Sequence, residues 1–99
     1  MLATGPAAGN DFPTSARVDY VIGCMAANGR SQLTMAKCSC SVDYIASQMS
    51  YVEYAEIETI KRMRLVPGER ASVFRDVPAA NDALDRFQLI QVEADLQCF

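Results

Sequence analysis

Residues 24–53 are CMAANGRSQLTMAKCSCSVDYIASQMSYVE, and this stretch holds three of the four cysteines in the 99-residue chain. Asn28-Gly29 is a typical helix end, because glycine adopts the positive φ at which many helices stop. A second helix is predicted from about Ser31. Its apolar residues recur at spacings of three and four, which predicts one buried stripe made of Met35, Cys38, Val42, Ile45 and Met49.

The start of a third helix is marked by Ser50-Tyr51-Val52-Glu53, which fits a capping box: the serine and glutamate side chains each satisfy a backbone donor of the other. The rest of the chain from Pro13 onward also has helical spacing, broken near residues 66–68 and 76–78. We predict helices over 15–28, 31–49, 50–64 and 78–97, with a short helical segment over 69–75. The predicted fold is all-α: a flexible N-terminal arm, 1–13, and a single four-helix domain, 14–99.

The first and last predicted helices carry apolar stripes of different width. The stripe of the first helix consists of Val18, Val21, Ile22 and Met25. The last helix has a wide apolar arc made of Leu84, Phe87, Leu89, Ile90, Val92, Ala94 and Leu96. Such an arc is typical of a helix packed against several neighbours.

The disulfide pairing can be argued from helix geometry. Cys38 and Cys40 lie two residues apart on one predicted helix, so their side chains point to nearly opposite sides and should bond to different partners. Folding the first two helices about Arg30 brings Cys24 closest to Cys38, which leaves Cys40 for Cys98. We favour Cys24–Cys38 and Cys40–Cys98, and the swapped pairing stays open. Two disulfides in a chain of this size are typical of an oxidising compartment.

The chain contains no histidine, which limits the catalytic and metal-binding sites that it could form. Histidine is the commonest general base and the commonest transition-metal ligand, so most hydrolase and zinc-site interpretations are removed. A cysteine or serine nucleophile would lack an activating base, and we predict that the protein is not an enzyme. A soft copper(I) site at Cys38 and Cys40 with nearby methionines is the remaining redox interpretation. Their two-residue helical spacing converges poorly on one metal, which favours structural disulfides.

Charge and hydropathy restrict the partners. The chain has 12 acidic and 9 basic residues, a formal charge of −3, which disfavours nonspecific binding to nucleic acid. No apolar run approaches the length needed to span a membrane. Residues 1–13 lack the basic and apolar regions of a signal peptide and are similar to the start of a mature exported protein. We predict a periplasmic protein with no nucleic-acid or membrane partner.

Carboxylates are the remaining candidates for a binding site. Glu53 and Glu56 lie three apart on one helical face, and Asp43 falls opposite Glu56 if the second and third helices form a hairpin. Such a trio offers hard oxygen ligands to calcium or a lanthanide(III) ion. Asp82 and Asp85 form a second-choice pair. The competing interpretation is that acids in a first helical turn complement the helix dipole, with Glu53 occupied by its capping role.

A family resemblance rests on three segments, DYVIGCMAANG, KCSCSVDYIASQMSYVEYAEIETIKRMRLVPGERASVFRD and EADLQCF, which extend from Asp19 to Phe99. They resemble a family of small exported proteobacterial proteins with four cysteines that includes periplasmic lanthanide-binding proteins. The resemblance implies a lanthanide chaperone with a surface-exposed, incompletely filled carboxylate site. It also implies a homodimer bridged by a shared metal and transfer of ions to a lanmodulin-like partner. It implies no ligand positions.

The acidic surface, the two expected disulfides and the family resemblance together predict a periplasmic carrier of lanthanide(III) ions, with calcium as the weaker candidate. The first alternative is an interaction or accessory module of a periplasmic system that binds no metal. The second is an acid-stress chaperone that exposes its apolar helices when its carboxylates are protonated.

Overall fold

The computed structural model describes residues 11–65 and 78–99. It contains α1 (Thr14–Asn28), α2 (Gln32–Gln48), α3 (Tyr51–Leu65) and α4 (Pro78–Cys98), and these two ranges contain no strand. The predicted all-α four-helix fold is confirmed, with every helix end within one residue of its predicted place. The predicted short segment over 69–75 lies outside the described residues.

The corner between α1 and α2 forms as the sequence indicates. Gly29 has a φ of 116°, and its N–H donates to the carbonyl oxygen of Met25 at 2.8 Å. A side chain would be strained at this φ, so glycine is the residue that can end α1 here. Ser31 then caps α2, since its Oγ accepts the N–H of Thr34 at 3.0 Å.

The capping box at the start of α3 is also confirmed. The N–H of Glu53 donates to Ser50 Oγ at 3.2 Å, and the N–H of Ser50 donates to Glu53 Oε1 at 3.5 Å. Two backbone donors that the helix leaves without partners are thereby satisfied.

The residues just before α1 are packed against α3. Asp11 Oδ1 accepts the N–H of Tyr51 at 3.0 Å, so Asp11 supplies a further cap to α3. The Phe12 ring is buried, with its centroid 5.6 Å from that of Tyr51 and 4.8 Å from that of Tyr54. Of the predicted arm, 1–13, residues 1–10 lie outside the described range, and the last residues belong to the folded domain.

The helices are arranged around the contact between α2 and α4. α2 packs against α1 on one side and α4 on the other, while α3 makes a smaller contact with α4. The core lies where α2, α3 and α4 meet, and it consists of Phe12, Val42, Ile45, Ala46, Met49, Tyr54, Ile57, Phe87, Ile90 and Ala94. α1 contributes no buried residue.

The exposure of the apolar residues differs from the sequence prediction on three helices. The predicted burial of Met35 is wrong, because its exposed fraction is 42%. On α1, Ile22 is 63% exposed, because α1 makes extensive contact with α2 alone among the four described helices. On α4, the buried residues of the predicted apolar arc are Phe87, Ile90 and Ala94, because the other helices in the described ranges cover one face of α4.

Both favoured disulfides are present. Cys24 bonds to Cys38 with Cα atoms 5.8 Å apart, and Cys40 bonds to Cys98 with Cα atoms 5.7 Å apart. The pairing follows the helix argument, because Cys38 is buried between helices while Cys40 lies towards the end of α4. All four cysteines are oxidised, so no thiolate is left for a copper(I) site.

None of the helices in the described ranges is both long enough and apolar enough to cross a bilayer.

Candidate functional site

The structure does not bring Asp43, Glu53 and Glu56 together. Asp43 on α2 forms an ion pair with Arg17 of α1, with Nη1 and Oδ1 2.5 Å apart. Glu53 forms an ion pair with Arg86 of α4 in addition to its capping role. Glu56 is exposed on α3. The assumed hairpin is wrong, because α2 packs on α1 and α4, whereas α3 packs on α4.

The second-choice pair, Asp82 and Asp85, is exposed in the first turns of α4. Within residues 11–65 and 78–99, no three Asp, Glu or Cys side chains are placed so that they could hold a metal ion together. The predicted ligand sets are therefore separate surface acids in this structure.

A different set of acids lines one concave surface, here called the carboxylate groove. The groove has a volume of about 390 Å³ and lies between residues of α1, α3 and α4. Its polar and aromatic lining consists of Asp19 and Tyr20 on α1, Tyr54, Glu58 and Lys61 on α3, and Phe87, Gln91 and Asp95 on α4. Each of the three helices thus supplies one carboxylate.

Negative charge in the carboxylate groove exceeds positive charge. Lys61 is the cation in its lining, and its Nζ lies 3.4 Å from Glu58 Oε2. Asp19 and Asp95 form no ion pair with any residue that the structure describes. Arg62 lines a smaller neighbouring pocket with Asp19 and Glu58 but is not within ion-pair distance of either. Two carboxylates therefore line the groove without a paired cation. Their negative charge attracts cations to the groove.

Two tyrosine hydroxyls add neutral oxygen atoms to the groove. Tyr20 Oη accepts a hydrogen bond from Gln91 Nε2 at 3.4 Å. Tyr54 is 5% exposed and also lines the groove. Burial raises the pKa of Tyr54, and the Glu58 carboxylate raises it further. Burial also raises the pKa of Tyr20, against the lowering effect of the hydrogen bond from Gln91. Both phenols are therefore neutral at physiological pH.

The raised pKa values predict a loss of stability at alkaline pH. Each folded phenol keeps its proton above the ordinary value of 10.0, so the unfolded chain loses protons first and is favoured as pH rises past 10. We expect Tyr54 to contribute a decline of up to about 1.4 kcal/mol per pH unit. Urea unfolding at several pH values between 8 and 11 measures this decline in the free energy of unfolding. Tyr54→Phe should flatten the decline while Tyr44→Phe, the control, should not; equal slopes in all three proteins would contradict the linkage.

Sequence reasoning missed Asp19, Glu58 and Asp95. It combined acids spaced along one helix with Asp43 on the neighbouring helix of an assumed hairpin, whereas these three acids come from α1, α3 and α4. One local signal was present: Glu58 and Lys61 lie three residues apart, which is the spacing of an ion pair on one helix face. Nothing in the pattern indicated that Asp19 and Asp95 face the same groove.

The arrangement is suited to binding a cation. It combines carboxylate oxygens, phenol oxygens and the face of Phe87 in one concavity. Comparison of the chain with protein-family models, with curated proteins and with solved structures gives no match.

Proposed function

We propose that this protein is a periplasmic carrier of lanthanide(III) ions that binds its cargo at the carboxylate groove. The observation that carries the proposal is that Asp19, Glu58 and Asp95 come from three helices to line one groove, where they lie apart and do not form a closed three-carboxylate site. Hard trivalent ions prefer oxygen ligands, and their attraction to a site increases with the number of carboxylates. Calcium prefers the same ligands but carries less charge, so it is the weaker candidate.

Three other features support a binding protein in an oxidising compartment. The two disulfides use every cysteine. The chain has no histidine to serve as a general base, which favours a carrier over an enzyme. The chain also resembles the exported four-cysteine family described above, and in particular its periplasmic lanthanide-binding member LanD.

An open groove also favours exchange of the ion. Three carboxylates fill only part of the coordination sphere of a large cation, so water or a second protein would supply the remaining ligands. A metal-bridged homodimer and transfer to a lanmodulin-like lanthanide-binding partner are both proposed on this basis.

A terbium titration with tyrosine excitation tests the site. The chain contains four tyrosines and no tryptophan, and Tyr20 and Tyr54 line the groove. We expect terbium emission from the native protein, and we expect Asp19→Asn/Asp95→Asn to weaken terbium binding by about tenfold or more, because two charged ligands become neutral. Both side chains are exposed, so the variant should keep its helical circular dichroism.

The matched control is Glu53→Gln/Glu56→Gln, which removes two acids of the originally predicted trio. Binding lost in the control and kept in the groove variant would place the site at that trio. Size-exclusion chromatography of the native protein with lanthanum should show a shift towards a dimer. An absence of terbium emission, together with no heat on addition of lanthanum, would overturn the carrier proposal.

A second candidate function is a protein-interaction module, favoured by a separate apolar groove between α1 and α2. That groove has a volume of about 430 Å³, and its lining includes Val18, Ile22, Met25 and Met35. Exposed apolar surface of this kind is typical of contact with another protein. The titration separates the two functions, since an interaction module without metal leaves the terbium signal absent.

A further inference from the structure

α4 carries an exposed apolar stripe, here called the outer stripe, on the side that faces away from the core. It consists of Leu89, Val92, Leu96 and Phe99, whose exposed fractions lie between 48% and 81%. The N–H of Phe99 donates to the carbonyl oxygen of Asp95 at 2.9 Å, so the helical turn extends to the last of these residues. In the described ranges, the other helices cover the opposite face of α4, and the outer stripe is left uncovered.

The spacing of the outer stripe points to a helical partner. Its residues are separated by three, four and three positions, which is the a and d pattern of a helix that pairs with another helix. A helix face directed to water usually carries polar residues at these positions. An extended peptide would not match the pattern, because its side chains alternate every two residues.

The charges beside the outer stripe are negative. Glu93 and Asp95 lie on its two edges, and Asp85 continues its line towards the start of α4. None of these three acids forms an ion pair with a residue that the structure describes. Arg86 is the one basic residue in the sequence of α4, and it is already paired with Glu53. The surface around the stripe therefore attracts cationic partners and repels anionic ones.

We propose that the outer stripe docks an amphipathic helix of another protein, with an apolar seam flanked by lysine or arginine. The apolar seam covers the outer stripe, and the basic side chains pair with Asp85, Glu93 and Asp95. Lys37 limits where those basic side chains can lie, because its Nζ is 5.6 Å from the centroid of the Phe99 ring. The basic residues of the partner therefore lie along residues 85–95, away from the C-terminal end of the stripe.

A second copy of the chain fits the outer stripe poorly. The stripe spans ten residues, or about 15 Å of helix, and a face of this length is far smaller than the roughly 800 Å² that each partner buries in a stable complex. Two paired copies would also bring the unpaired carboxylates of Glu93 and Asp95 close together. An anionic membrane surface is repelled by the same acids. The small area predicts a weak, transient complex with a basic helix.

A synthetic helix of about three heptads tests the proposal, with leucine at a and d and lysine at e and g. Its lysines keep it from pairing with itself, and a fluorescein label allows its binding to be followed by anisotropy. EDTA is present throughout, so metal ions play no part. We expect micromolar binding to the native protein that weakens as salt is raised. A matched peptide with glutamate in place of lysine should bind at least about tenfold more weakly.

Leu89→Ala/Leu96→Ala removes much of the apolar surface of the stripe. This variant should bind the lysine peptide about tenfold more weakly than the native protein. The matched control is Val18→Ala/Ile22→Ala, which truncates two exposed apolar side chains on α1 and should leave binding unchanged. All four side chains are exposed, so both variants should keep their helical circular dichroism.

Asp85→Asn/Glu93→Gln removes two charges beside the stripe. It should weaken binding of the lysine peptide about threefold and reduce the salt dependence of binding. The matched control is Asp19→Asn/Glu56→Gln, which removes the same charge from exposed positions on α1 and α3 and should have a smaller effect.

Each outcome decides the proposal. Binding of the lysine peptide that both α4 variants weaken and both controls keep supports it. Equal losses in the two charge variants overturn it, because net charge would then suffice. Equal binding of the two peptides, or no binding of the lysine peptide, also overturns it.

Two further measurements test the other occupants. A dimer of the native protein in EDTA that Leu89→Ala/Leu96→Ala dissociates, measured by sedimentation, would overturn the proposal in favour of a second copy. Binding to phosphatidylglycerol vesicles that the same variant loses would overturn it in favour of a membrane surface. Terbium binding should be equal in the native protein and in Leu89→Ala/Leu96→Ala, so the docking proposal and the carrier function can fail separately.

Discussion

Removing the Cys40–Cys98 disulfide by Cys40→Ala/Cys98→Ala is expected to lower the free energy of unfolding by about 4 kcal/mol. The two cysteines are separated by 58 residues, so the bond strongly restricts the unfolded chain in the chain-entropy description of disulfides. It also holds the C-terminal end of α4 against α2, the pair of helices around which the core forms. Small domains have net stabilities of about 5–15 kcal/mol, so this loss is a large part of the total.

The comparison variant is Cys24→Ala/Cys38→Ala, which opens a loop of 14 residues. The same description gives about 3 kcal/mol for it. Urea unfolding followed by circular dichroism measures both variants under identical conditions. A larger loss from the shorter loop would show that local packing around the fully buried Cys38, and not loop entropy, dominates the contribution.

Phe87→Ala should cost about 3–5 kcal/mol of stability, which is the usual range for truncating a buried aromatic side chain. Phe87 is 2% exposed on α4, and its ring centroid lies 5.9 Å from that of Tyr54 on α3. The contact between α3 and α4 is smaller than that between α2 and α4, so a cavity here removes much of what holds α3 in place. Lys61 also loses the ring beneath its ammonium group.

Leu89→Ala is the matched control on the same helix. Leu89 is 62% exposed, and its truncation should change stability by no more than about 0.5 kcal/mol. Thermal and urea unfolding of the two variants measure the difference. Similar losses for Phe87→Ala and Leu89→Ala would mean that the exposed side of α4 is covered in solution, since a solvated leucine has little packing to lose.

Much of the fold was predictable because its signals are local. Gly29 ends α1, Ser31 caps α2, and Ser50 with Glu53 starts α3, each through contacts within four residues. The disulfide pairing was predictable for a related reason. Two cysteines on opposite sides of one helix need different partners, and the first corner limits the choice.

The candidate site was not predictable in the same way. The trio of Asp43, Glu53 and Glu56 depended on how α2 and α3 would pack, and α4 lies against both of them instead. Arg17 and Arg86 then pair with Asp43 and Glu53. Those pairs join residues 26 and 33 positions apart, a separation at which helical spacing carries no information.

The sequence by itself determined the helices, their ends, the covalent framework and an acidic chain without histidine. Those properties depend on backbone conformation, on capping within one turn and on composition, all of which are read along the chain. Only the tertiary structure decided that Asp19, Glu58 and Asp95 line one groove and that Lys61 stands among them. The physical reason is that a groove is made by the relative placement of α1, α3 and α4. That placement comes from packing of the core, which many different surface residues would allow.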